Sequence, residues 1–594
     1  SSAEVYNHLL TVLEIFCESL GPERMQEYVE QLLRVILSLL EGDLDIATRC
    51  AAVGAVASVA LGSQQLIIPY FEDILSHLIQ YLDLTSEEDM KLRARATECI
   101  GHVFNAAGPE YFATVTPLFD EVYEKVRNGV ESDDSELMEE TFGFFASIAE
   151  ISPEAIASRM HDIVDLLLEA IESDLGVELF NKEQKEDAAE AALGVVDLSE
   201  DEDLSEDDDE DEILQWKGDE DDKLPNSVVA DVSTYILNLK TSAVHCVGEL
   251  ATHCGQHGLQ SHLWSLATAV EPLVKFHHWK IRRNAVTSLT RLLLCVPVPA
   301  GSEERIPEFF YVVCGHLIYR ILNDRHPHMV ASSCELLGEI IRHGALPYGG
   351  GLGVSKPLRL ALRGEDIDSL LQNADCGLVS ALVTGEGDAS QHASLFEQIA
   401  FAVETVVAQN TRCQKFLLKV TDEGADHDSV CLDAAAELYA DMVRRLGSVP
   451  SCLAFGADVF VGFMHPSLPV CTRTCGCGVL SEVLEVIHGD FAPIVPRIFA
   501  HKELLSAIQE QDADGDPLRR NSMYLSGLLV QYCPEDIKGH LGKILDATRW
   551  LLDREGHEDL IVDNACSFLA KTVVSGVWST LGDDYPHGAG ITTS

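Results

Sequence analysis

Carboxylates, carboxamides and aromatic rings recur at matching places along this chain of 594 residues, and their types suit one kind of chemistry. Glu98, Glu139, Glu140 and Asp563 offer carboxylates for lysine and arginine heads. Asn284, Asn521 and Asn564 offer amides that can satisfy the backbone groups of an extended peptide. Phe142 and Trp279 offer ring faces for lysine stems or cations. Each residue alone also fits ordinary solvation, capping or packing of a helix; as a set they describe a wall for a basic, extended peptide. A denser source of charge lies between Asp197 and Asp222, where 16 acids stand against one base, Lys217. Its centre is Asp201, Glu202, Asp203, Glu206, Asp207, Asp208, Asp209, Glu210, Asp211 and Glu212. Like-charge repulsion and few apolar residues predict a disordered acidic insertion.

Motifs of catalysis are missing, and the sequence reads as a non-enzyme without catalytic, metal or cofactor residues. "GGGLGVSK" lacks the spacing of a phosphate loop, and neither HExxH nor GxSxG occurs. Cys471, Cys475 and Cys477 have no second ligand pair downstream, so they read as helix packing rather than a zinc site. "EQDADGDPLRRN" approaches a calcium loop, but Glu510 opens it, Pro517 interrupts it and Asn521 takes the place of the bidentate glutamate. It reads as an acidic turn with Pro517 at the first helical position.

The elements that carry these residues are repeats. Gly21, Gly62, Gly108 and Pro153 close one helix and open the next, at spacings of 41, 46 and 45 residues. Each interval reads as two amphipathic helices, the period of a HEAT or armadillo array. Such a pair cannot bury its apolar face alone, so neighbours stack. The expected fold is an all-α HEAT-repeat α-solenoid, a right-handed superhelix of antiparallel helix pairs with an acidic disordered insertion. The second helix of each pair shares a grammar: an acid, then basic and small residues, then an apolar stripe. Asp45 with Arg49 and Asp89 with Arg93 begin it, and Asp-to-Arg ladders between repeats are the simplest reading.

The expected order is HEAT repeats over 1–180, the acidic insertion and its flanks over 181–230, and repeats again over 231–344. A less regular helical region with a Gly-rich loop at Gly344–Pro357 covers 345–460. Repeats over 461–575 and a frayed tail over 576–594 complete the chain. Ser1 falls inside a helix pair, which reads as a fragment. No apolar run reads as long enough to span a membrane, and no signal peptide is evident. The 17 cysteines, scattered through apolar helical stretches, fit a reducing compartment. A net charge of −56, from 97 acids and 41 bases, disfavours nucleic acid and anionic membranes as partners and favours a basic protein.

Four stretches add a resemblance: "LRARATECIGHV" (92–103), "ELMEETFGFFASIAEI" (136–151), "LKTSAVHCVGELATHCG" (239–255) after the acidic insertion, and "RRNSMYLSGLLVQY" with "IVDNACSFLAKTV" within 519–573. In this order they resemble the importin-β (karyopherin-β) family of nuclear transport receptors, closest to the importin-four type that carries histones and ribosomal proteins. The resemblance implies a monomeric receptor shuttling between cytoplasm and nucleus. It would bind basic cargo on the concave face, meet Phe-Gly nucleoporins and release cargo to Ran-GTP. The front repeats that give the family its main grip on Ran are not recognisable, and the Gly-rich tail replaces further helices. A static HEAT scaffold, an acidic histone-chaperone-like protein and an exportin are the alternatives.

Overall fold

The computed structural model describes residues 2–42, 44–131, 134–173, 177–181, 228–232, 234–276, 278–302, 305–324, 326–343, 425–446, 460–500, 502–512, 515–553 and 558–577. The chain divides into two compact units, 1–307 and 308–594. Helix pairs build both.

In the first unit the second helices form one row. They are α1 (Ser2–Ser19), α3 (Ile46–Ser63), α5 (Met90–Phe112), α7 (Ser135–Ile151), α9 (Thr234–Cys254) and α11 (Trp279–Cys295), each packed on the next. The first helices flank that row: α2 (Val29–Leu40), α4 (Phe71–Leu78), α6 (Thr116–Arg127), α8 (Met160–Glu172) and α10 (Leu263–Val270). Sequence explains the division. α2 buries Val29, Leu33, Ile36 and Leu40, a single stripe facing one neighbour. α3 buries Ala52, Val53, Ala55, Val56, Val59 and Ala60, because it is held between α1, α5 and α2. Its small residues admit three neighbours at close range. Gly62 is the limit: a Cβ there would lie 2.4 Å from the Cys17 carbonyl oxygen of α1.

Residues 46–83 are apolar enough to span a membrane by length and composition, contrary to the sequence expectation. The 3₁₀ turn Gln64–Tyr70 interrupts them, and most of the apolar stretch is buried against its neighbours. They form repeat core.

Helix ends follow the expected landmarks. Asp45 and Asp134 accept the backbone N–H of Thr48 and Leu137, each at 2.8 Å, as N-caps. Gly108 breaks the helical path within α5 at φ +79°, and Pro153 starts the short helix after α7. The expected Asp-to-Arg ladder is replaced. Arg93, buried, donates to the carbonyls of Leu84 and Lys125, both at 3.1 Å, and Arg49 donates to the Gly42 carbonyl at 3.4 Å. Backbone carbonyls at turns and in the last turn of α6 satisfy these guanidinium groups instead. Ion pairs between repeats fall elsewhere: Lys125 to Asp83 and Arg159 to Asp120, both at 2.5 Å.

Helix α8 ends at Glu172, before the expected boundary at 180. Val177–Asn181 (β1) then pairs antiparallel with Val228–Val232 (β2), Val177 opposite Val232. Valine-rich ends suit a ribbon. Among the described residues the ribbon is an addition to an otherwise helical repeat array. The acidic run it brackets, the Gly344–Pro357 loop and the tail from 578 lie outside the described residues.

The second unit repeats the plan. α12 (Ile306–Asn323) is followed by α13 (Pro327–His343), α14 (Ala425–Leu446) and α15 (Val470–Ile487). The unit continues with α16 (Glu503–Ile508), α17 (Asp516–Tyr532), α18 (Leu541–Leu552) and α19 (Asp559–Val574). Helices α13, α14, α15, α17 and α19 form its row of second helices. Asp441, buried, ties α13 to α14 by accepting from Arg342 and from Arg444, and Arg444 continues to Glu482 of α15.

Candidate peptide-binding surface on the second helices

A second helix keeps one stripe open after packing on its neighbours, and the helical period decides which residues stand there. On α5 the stripe is Lys91, Arg95, Glu98, His102 and Asn105; on α7 it is Glu136, Glu139, Glu140, Gly143 and Glu150. Three of the expected residues, Glu98, Glu139 and Glu140, therefore fall on the stripes of adjacent helices. Asn105 bridges those helices, donating to Glu150 at 2.9 Å.

Cations are scarcer than carboxylates here. Arg95 pairs with Glu98 at 2.8 Å, and His102 lies 3.9 Å from the other Glu98 oxygen. Burial works against the Glu98 charge, yet hydrogen bonds from His102 and Arg95 hold its carboxyl below the usual range. Glu139 and Glu140 receive no such help. Burial, with Glu136 and Glu98 nearby, raises Glu139. Burial, then Glu98 and Glu139, pushes Glu140 up to about 8. Half-buried carboxyls whose pKa values burial and like charges raise form a place for one more cation.

The three asparagines share another geometry. Asn284 Nδ2 donates to the Thr241 carbonyl at 3.0 Å, Asn521 to that of Thr474 at 3.3 Å, and Asn564 to that of Arg520 at 3.1 Å. In each case a second helix is stitched to the previous one, with the amide half-buried at the edge of the open stripe. Trp279 opens α11 half-buried, its ring centroid 6.0 Å from the Lys280 ammonium. Asp563 is exposed beside Asn564.

Phe142 is a correction. It is fully buried, two positions past Glu140 and so on the packed side of α7, where no peptide can reach its ring. Sequence reading passed over Arg95, His102, Glu136 and the Asn105–Glu150 bridge. The spacing of Arg95, Glu98, His102 and Asn105 by three or four residues was the available signal. A buried cation stands against the described part of the calcium-like turn. Buried Arg519 donates to the Glu510 and Asp512 carbonyls at 2.8 and 3.0 Å, and Pro517 sits in the first turn of α17, as expected. On α15 Cys477 is buried and packs as expected, Cys475 is half-buried, and Cys471 is exposed, so the packing reading does not extend to it. The acidic-insertion residues Asp201 to Glu212 lie outside the described residues.

Two rows of helices in stacked pairs, one bearing a polar open stripe, define a HEAT-repeat α-solenoid. No protein-family model matches the sequence. The probable importin subunit beta-4 of Schizosaccharomyces pombe is 22% identical over 586 residues, which cover 95% of this chain and 48% of that protein. Human importin-4 is 25% identical over 556 residues, covering 88% and 44%. The chain thus spans about half the length of the curated relatives it matches. Among solved structures, Kap121p superposes with a TM-score of 0.65 at 16% identity, covering 97% of this chain and 48% of that one. Kap121p bound to Pho4p and to Nup53p gives 0.66 and 0.64. In sequence the chain is similar to importins of the importin-4 type, and in fold it is similar to Kap121p.

Proposed function

We propose that this chain is the cargo-binding part of a nuclear import receptor and holds basic, extended protein segments along the open stripes of its second helices. The observation that carries the reading is the excess of carboxylate on α5 and α7, where Glu140 keeps its proton to about pH 8 beside Glu98 and Glu139. A lysine head entering there restores charge balance at a group already taken from water. Asn284 in the first unit, and Asn521 and Asn564 in the second, each stand at the edge of an open stripe of their own unit, with amide oxygens that can accept peptide N–H groups. Histone tails and ribosomal proteins fit this charge. The relatives named importin and the crystal complexes of Kap121p with Pho4p and Nup53p support cargo and nucleoporin binding. In the full-length protein Ran-GTP would release the cargo, with shuttling between cytoplasm and nucleus. The family is one of transport receptors rather than enzymes.

Calorimetry with histone H3 and H4 tail peptides at low and high salt tests this. The titration is repeated with scrambled peptides and after deletion of 197–222. Saturable binding that prefers the true sequences and survives salt and deletion is expected. Equal, salt-labile binding of scrambled peptides that vanishes with the deletion would reduce the chain to a polyacid attracting polybases.

A further inference from the structure

A cavity of about 370 Å³ opens between α16 and α18 in the second unit. Its floor is an aromatic pair: the Phe499 and His540 rings lie face to face, 4.0 Å between centroids and 7° from parallel. Both are half-buried, and Leu505 and Ala547 extend the apolar lining. Lys502, Lys543, Gln509 and Asp546 stand at the rim.

The charge of this rim is opposite to that of the chain. Acids outnumber bases by 97 to 41 overall, whereas two lysines face one carboxylate here. Neither Lys502 nor Lys543 makes an ion pair among the described residues. Lys502 also holds a left-handed backbone, φ +65° and ψ 29°, that non-glycine residues seldom adopt. That conformation brings the lysine to the start of α16 and to the mouth of the cavity. Burial, and then the neighbouring Lys543, lowers the His540 pKa.

We propose that this cavity is a second peptide site, of opposite sign to the first, in which Lys502 and Lys543 clamp an anionic side chain of a partner protein over the Phe499–His540 floor. Carboxylate and phosphate share the required chemistry. The site needs no cargo on the acidic wall, so its failure and that of the import reading are separate outcomes. General acidic peptides are repelled by a chain of charge −56, so saturable binding of one requires a formed pocket.

The test uses the whole chain and short peptides bearing a neutral dye, read by fluorescence anisotropy. One contains glutamate and alanine around a phenylalanine; in a second, phosphoserine replaces the central glutamates; in a third, all charge is removed. The expected result is saturable binding of an anionic peptide, weakened about tenfold or more by Lys502→Gly with Lys543→Gln. Gly suits the backbone at 502, and Lys543→Arg should retain binding. Preference between glutamate and phosphoserine identifies the source of the anion. Equal binding of the uncharged peptide, an unaffected double variant, or no saturable binding of either anionic peptide would overturn the proposal.

Discussion

Glu140 shows what one side chain can report about this surface. Its folded pKa of about 8 stands above the value of about 4.3 expected for an unfolded chain. Between those values the folded state holds the extra proton, so its contribution to stability is full below about pH 4.3 and is lost as pH rises toward 8. Glu140→Gln keeps the shape and removes the titration. Near pH 4 the variant and parent should melt together, and above pH 8 the variant should melt higher. Circular dichroism melts across pH check this; a gap that does not change with pH would mean Glu140 ionises freely. Much of this site was legible in sequence, since acids three or four positions apart on amphipathic helices fall on one stripe. What was not legible was the sidedness of Phe142. Its neighbours Glu139 and Glu140 leave either side open to it, and only the packing of α7 between α5 and α9 decides.

At the scale of elements, a row of second helices needs close approach, and the glycines mark where backbones nearly touch. Gly255 follows α9, and a Cβ there would stand 2.4 Å from the Cys295 carbonyl oxygen of α11, the same contact Gly62 makes with Cys17 of α1. A carbonyl cannot yield as a side chain can. Gly255→Ala should therefore cost about 1–3 kcal/mol in urea unfolding, whereas Gly462→Ala, with nothing within 4 Å of its added methyl, should not pay that overpacking cost. Equal midpoint shifts for the two would show that the helices slide apart without strain. The period of 41 to 46 residues, the caps and the contrast of striped with all-round apolar helices were readable, because burial is periodic in a helix. The β1–β2 ribbon was not: five-residue strands beside a charge run carry too little pattern. Nor were the partners of Arg93, which are backbone carbonyls that no side-chain pattern encodes.

Over the whole molecule, charge acts at longer range than any pocket. The 197–222 run supplies 15 of the 56 net negative charges, so 41 remain without it. Fields of this size steer oppositely charged partners, and salt screens them over about 10 Å at 0.1 M. Capture and holding should then separate: the diffuse acid governs how quickly a basic peptide arrives, and the stripes of α5 and α7 govern how long it stays. Stopped-flow mixing with a histone tail peptide should give an association rate that falls with salt. Deleting 197–222 should flatten that dependence while leaving dissociation unchanged, because the contacts assigned to the peptide lie on helices. Glu98→Gln should do the reverse, speeding dissociation with little effect on arrival. Faster association after the deletion would assign the acidic run a different part, that of a competitor occupying the wall until a basic segment displaces it.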